Sequence, residues 1–163
     1  MTIGAQPKHL FVVLCYFTDR IRVHKQGALR VDTDRCNVLL IDDDYFQVDL
    51  ACRAAVETCP EVSLTAVAGG DAALEWFGAG IEKSEKMPHI ILLDLKLPKL
   101  DGLAVLRKLR GFPATNEIPI VVFSTEFTQA EVLMSYKAGA NSFVAKPCDI
   151  AGYCRGVIVL GLG

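Results

Sequence analysis

The chain has 163 residues, 52% of them apolar and 22% charged, with a formal net charge of -2. That length supports one compact domain with its own core and leaves no room for two ordinary ones. A near-neutral balance with scattered Lys and Arg excludes a disordered acidic or basic chain, and it gives no electrostatic footprint for direct nucleic-acid binding.

The first feature in chain order is an apolar run, Leu10–Phe17, preceded by Lys8 and His9. It falls well short of the roughly 18 residues needed to span a bilayer. Thr18, Asp19 and Arg20 stand where a signal peptide would carry small cleavage-site residues. No membrane association is expected, and residues 1–36 form an N-terminal extension to which the sequence assigns no function. Of the six cysteines, Cys15, Cys36, Cys52, Cys59, Cys148 and Cys154, none belongs to a CxxC pair or a metal-type Cys/His spacing. Reduced thiols in a cytoplasmic protein are the expectation.

From Asn37 to the end, residues 37–163, short Val/Ile/Leu runs alternate with longer amphipathic stretches. Asn37–Ile41, Ser63–Ala68, Ile90–Leu93, Ile120–Phe123 and Ser142–Ala145 read as strands. Apolar residues on consecutive positions suit strands covered on both faces of a parallel sheet. Between them, helices are predicted over Tyr45–Thr58, Gly70–Phe77, Leu100–Arg110 and Thr128–Ala138, with a last one from Asp149 onward. The basic end of the third, followed by Gly111, is a helix-stop signal. The alternation predicts an α/β, doubly wound, five-stranded parallel sheet with helices on both faces. The chain ends soon after the last helix, so no effector domain is expected within it.

Right-handed crossovers bring the carboxyl ends of the strands to one edge, where open α/β sheets bind ligands. Asp42, Asp43 and Asp44 follow strand one, Asp94 strand three, Ser124 strand four and Lys146 strand five. Each has an ordinary explanation: a helix cap, a loop serine, a surface lysine. Asp44 is taken as such a cap or turn residue. The joint placement argues for more. Clustered carboxylates repel unless a cation compensates, and all-oxygen ligation suits Mg2+. A carboxylate beside such an ion is a workable nucleophile for phosphoryl transfer, with Lys146 and the Ser124 hydroxyl as electrostatic partners.

Taken together, LLIDDD (Leu39–Asp44), DLKLPKLDGLAVLRKLR (Asp94–Arg110), IPIVVFSTE (Ile118–Glu126) and YKAGANSFVAKP (Tyr136–Pro147) resemble the response-regulator receiver domains of two-component systems. The likeness runs from about Asn37 to Leu160. It implies a flavodoxin-like sheet of order 2-1-3-4-5, as in single-domain chemotaxis regulators. It also implies Asp94 as phosphoacceptor, and Mg2+ held by Asp42, Asp43, Asp94 and the main-chain carbonyl of Lys96. Ser124 would be the switch hydroxyl, Phe143 the switch aromatic and Lys146 the cation for the transferred group. Lys96 and Glu126 flank the site at positions that tune dephosphorylation; they could pair with each other and hinder an attacking water, which would lengthen the signal. The Lys146–Pro147 bond is a candidate for the cis form.

The resemblance further implies a cytoplasmic, stand-alone phosphoprotein that is no enzyme beyond its own phosphotransfer and dephosphorylation. A histidine kinase or histidine phosphotransfer protein would supply the phosphoryl group. Output would pass to a protein partner in trans through helix four, strand five and helix five, with Glu131, Ser135 and Tyr136 as candidate contacts and homodimerisation possible through that face. A flavin-binding protein could share the fold, but Asp42–Asp44 would repel its phosphate. A dehydrogenase lacks its GxGxxG after strand one. The alternative kept open is a non-phosphorylated pseudo-receiver acting as an interaction module.

Overall fold

The runs Val38–Ile41, Ile90–Leu93 and Ile120–Phe123 are apolar at every position, which suits strands with both faces covered. A computed structural model, which describes residues 22–23, 29–30, 36–58, 62–78 and 87–157, places these runs at the centre of the sheet. The strands are β1 (Cys36–Ile41), β2 (Val62–Val67), β3 (Ile90–Leu93), β4 (Ile120–Ser124) and β5 (Ser142–Ala145). The helices are α1 (Tyr45–Thr58), α2 (Gly70–Gly78), α3 (Gly102–Gly111), α4 (Gln129–Lys137) and α5 (Ile150–Val157), with a 3-10 turn at Pro113–Thr115. All pairings are parallel, in the order β2-β1-β3-β4-β5. The predicted doubly wound topology is therefore the observed one.

Successive residues of each central strand serve opposite cores, as the pleat requires. Leu39, Ile41, Ile91, Leu93, Ile120 and Val122 pack with Phe77 of α2 and Leu103, Leu106 and Leu109 of α3. Val38, Leu40, Ile90, Leu92, Val121 and Phe123 pack with Ala51 and Ala54 of α1 and Tyr153 of α5. A short antiparallel pairing of Arg22–Val23 with Leu29–Arg30 lies before the sheet in sequence. The run Leu10–Phe17, Cys15, Cys59 and the side chain of Cys154 fall outside the described residues. Cys52 and Cys148 are free thiols.

Helix starts follow local capping chemistry. Asp44 Oδ1 accepts from the N–H of Phe46 (2.9 Å) and of Gln47 (3.4 Å), so it is the cap its sequence position suggests. Thr128 and Glu131 form a reciprocal capping box on α4. Asp149 Oδ1 accepts from Gly152 N–H at 2.6 Å and opens α5. Helix α3 begins at Gly102, two residues later than predicted. Lys99 adopts a left-handed φ of 68°, and the N–H of Leu100 turns back onto Pro98 O at 2.8 Å, so the chain is still turning where helical spacing already reads. Gly102 N–H then donates to Leu95 O at 3.0 Å. This contact requires glycine, because a Cβ would lie 2.4 Å from Asp94 O and 2.5 Å from Leu95 Cα. Behind it, the Arg110 guanidinium ties α3 to the chain entering β4 and to the α4–β5 loop. It donates to the carbonyls of Gly139 (2.9 Å), Thr115 (2.9 Å) and Ile118 (2.8 Å) and to Asn141 Oδ1 (2.6 Å).

Candidate functional site

Main-chain bonds that continue past the strand ends fix the polar residues. Asp42 N–H donates to Val67 O (3.1 Å), Asp94 N–H to Ile41 O (3.0 Å) and Lys146 N–H to Ser124 O (3.0 Å). Asp42, Asp94, Ser124 and Lys146 are all buried, although each is polar. Buried charges persist when paired, and these pair with one another. The Lys146 ammonium donates to Asp94 Oδ2 at 2.5 Å and lies 2.7 Å from Asp42 Oδ2. Ser124 Oγ donates to Asp94 Oδ1 at 2.6 Å, and the same oxygen receives the main-chain N–H of Lys96 at 3.1 Å.

The two aspartates differ in electrostatics despite the shared lysine. Burial pushes both carboxyls up. At Asp94 the bonds from Lys146, Ser124 and Lys96 outweigh burial and hold the carboxyl below its usual range. At Asp42 burial prevails over the Lys146 ammonium and the Asp44 N–H, so its carboxyl is raised. Asp42 Oδ2 is paired with the Lys146 ammonium at 2.7 Å and has no other polar partner.

A buried carboxylate oxygen with acceptor capacity beyond that one contact is the feature of the site that best fits a hard cation. Among the described residues no three His, Cys, Asp or Glu side chains come together as a ready ligand cluster. Asp42 and Asp94 close on the Lys146 ammonium, and Asp43, next in the chain, is exposed to solvent at the rim. The carboxylates of Asp42, Asp43 and Asp94 and the main-chain carbonyl of Lys96 are the donors the chain offers. They are all oxygen, as Mg2+ or Mn2+ prefers.

The chain matches the model of the response regulator receiver domain over residues 38–154. It belongs to that family. It is 29% identical to the two-component response regulator ARR7 of Arabidopsis thaliana over 144 residues, covering 83% of this chain and 68% of that one. Its fold resembles the phosphorylated cyanobacterial phytochrome response regulator RcpA with a TM-score of 0.68 and 27% identity, covering 78% of this chain and 91% of that one. It likewise resembles the Mn2+-bound response regulator Rcp1, with a TM-score of 0.65, 28% identity and coverage of 77% and 90%.

Around the centre of this receiver the structure changes three expectations. Lys96 does not pair with Glu126. Its ammonium reaches Glu131 Oε1 on α4 at 2.5 Å, where the carboxylate is already oriented by the capping box. The Glu131 carboxyl is held down to about 2, by Lys96 first and then by Thr128. Ser135, expected on an output surface, is fully buried and donates to Glu131 O at 2.7 Å, because its helix face turns toward the sheet. The Lys146–Pro147 peptide is trans; the main-chain bond from Lys146 to Ser124 aims the lysine without a cis turn.

Phe143 is half-buried and meets the exposed ring of Phe127 edge-on, with centroids 4.8 Å apart. No residue pattern forecasts this contact. Nor does one forecast the bond from the Tyr153 hydroxyl to Gln47 Oε1 at 2.5 Å, which ties α5 to the first turn of α1. Burial and the charges of Asp42, Asp94 and Asp44 push that hydroxyl well above its usual pKa. Glu131, expected as an output contact, is engaged instead by the capping box and by Lys96. No described helix is long and apolar enough to cross a membrane.

Proposed function

We propose that this receiver accepts a phosphoryl group on Asp94 from a phosphohistidine on a sensor kinase or phosphotransfer protein. The observation that carries the proposal is the pairing of each Asp94 oxygen with its own donor, Ser124 Oγ on Oδ1 and Lys146 Nζ on Oδ2. A carboxylate held ionised and aimed in this way is a nucleophile with its electrostatic partners in place. One Asp94 oxygen forms the new O–P bond as the donor's N–P bond breaks. The phosphoryl charge then rests against Lys146 and Ser124. A divalent cation, Mg2+ by preference, held by Asp42, Asp43, Asp94 and the Lys96 carbonyl, would neutralise part of that charge. The similar RcpA is described as phosphorylated and Rcp1 as Mn2+-bound, which supports both points.

The transfer adds about -1.5 to -2 charge and three acceptor oxygens at Asp94. Ser124 would leave Asp94 Oδ1 for one of them and draw the β4–α4 loop with it. Phe127, on that loop, would slide from the ring of Phe143, which then turns inward. The surface so altered carries exposed Phe127, Leu133 and Met134, an apolar set fit for a protein partner or a second copy rather than for nucleic acid. In this proposal the chain is cytoplasmic and catalyses only its own phosphotransfer and dephosphorylation.

The test is incubation with acetyl phosphate and Mg2+ followed by intact-mass analysis. One phosphoryl adduct is expected on the wild type and none on Asp94→Asn. No adduct on the wild type, with binding partners unaffected by phosphodonor, would favour a pseudo-receiver instead.

A further inference from the structure

The Lys96 main chain and side chain serve different masters. Its N–H donates to the acceptor Asp94 at 3.1 Å, fixing the backbone at the site. Its ammonium instead reaches Glu131 Oε1 at 2.5 Å, with the carboxylates of Glu126 and Asp101 adding attraction on the same side. Glu131 can hold it because its own position is set independently. Oε2 receives Thr128 N–H at 2.7 Å and Thr128 Oγ1 at 2.9 Å, and Glu131 N–H returns a bond to Thr128 Oγ1 at 3.2 Å. One carboxylate oxygen caps α4 and the other detains a lysine whose backbone lies beside the nucleophile.

We propose that Glu131 is a positioning residue that sets the lifetime of the phosphorylated state by keeping the Lys96 ammonium off the phosphoryl group. The proposal rests on Asp94 being the phosphoacceptor. A phosphoryl group there competes with Glu131 for the ammonium, two residues along the chain. Loss of the group requires water to add to phosphorus as the Asp94 O–P bond breaks. Inorganic phosphate leaves, a water proton passes to solvent and the carboxylate is restored. A lysine side chain lying across the phosphoryl oxygens occupies the solvent side from which that water arrives. Detained by Glu131, it leaves the approach open.

Glu131→Gln separates this role from capping, since Gln at the same position still completes a capping box. The readout is the decay of phosphoprotein made with acetyl phosphate and Mg2+, beside the melting temperature of the unphosphorylated protein. With melting unchanged, phosphate loss from Glu131→Gln should slow about two- to fivefold, the range expected for releasing a partly solvated ion pair. In a Lys96→Met background, which keeps the main chain, the same substitution should change nothing. Equal or faster decay in Glu131→Gln, or an effect that persists without Lys96, would overturn the role of Glu131 and leave the acceptor intact. Failure of the wild type to form any adduct would overturn both.

Discussion

Replacing Lys146 with Met removes the ammonium that two buried carboxylates share, and the structure sets the scale of the loss. Nζ lies 2.5 Å from Asp94 and 2.7 Å from Asp42, with 1% of the lysine side chain exposed. At an effective dielectric of about 20, each pairing amounts to about 6 kcal/mol of attraction. Burying three charges costs several kcal/mol apiece, so the intact triad contributes little net stability. Without the ammonium, two carboxylates face each other with nothing between them. We expect a loss of about 3 kcal/mol near pH 8, the lower end for a broken buried pair. The sign with pH follows from the groups involved. Both carboxyls keep the burial that raises them and lose the lysine that lowers them. Folded-state values above the unfolded 3.8 mean that the folded variant binds more protons in the window between them. Its stability therefore falls as pH rises through that window. Urea unfolding of wild type and variant at about pH 5 and about pH 8 should give a smaller difference at the lower pH. Adding Asp42→Asn to the variant should recover most of the loss. Equal differences at both pH values, or no recovery, would refute the shared-lysine account.

Two scaffold positions give further tests. Gly102→Ala would push a Cβ to 2.4 Å from Asp94 O and 2.5 Å from Leu95 Cα, both main-chain atoms that cannot swing aside. Urea unfolding should report a loss of about 2 kcal/mol or more, with slower acetyl-phosphate labelling, whereas Gly111→Ala, which meets nothing within 4 Å, should be neutral or stabilising. Arg110→Met strips donors from three carbonyls and Asn141 Oδ1, and a loss of about 2–3 kcal/mol is expected by the same measurement. Lysine there should recover only part of it, since a single ammonium cannot span the four acceptors that the planar guanidinium reaches.

The sheet was legible because apolar runs such as Ile90–Leu93 have no polar position to spare for solvent, and the buried polar cluster because Asp42, Asp94, Ser124 and Lys146 each sit where such a run stops. Those features are local to the chain. What the sequence concealed depends on distance through space. Lys96 has acidic residues at Glu126 and Glu131, and sequence proximity to the β4 end favours the first. The capping box favours the second, because it holds the Glu131 carboxylate in place before the lysine arrives. Ser135 read as exposed because α4 has weak amphipathic contrast: Leu133 and Met134 lie outside while the serine is buried and bonded back to Glu131 O. The late start of α3 was hidden for a different reason. Leucine spacing continues through a turn that only the φ of Lys99 reveals.

The charge count at the site explains why Asp42 is there at all. Asp42 and Asp94 against Lys146 leave one negative charge in the buried pocket, and exposed Asp43 adds another at its rim. Asp42 is a poor stabiliser, because burial raises its carboxyl and its Oδ2 has only the lysine it shares with Asp94 as a partner. A fold selected for stability alone would replace it with asparagine. The proposed phosphorylation would replace one negative charge at Asp94 with about -1.5 to -2, and Lys146 is already shared. Another cation would carry the excess, and the proposed divalent ion beside Asp42 and Asp43 would bring the resting site to neutrality. In that proposal Ser124 and Lys146 would receive the phosphoryl oxygens, and the costly Asp42 would let the site tolerate their charge.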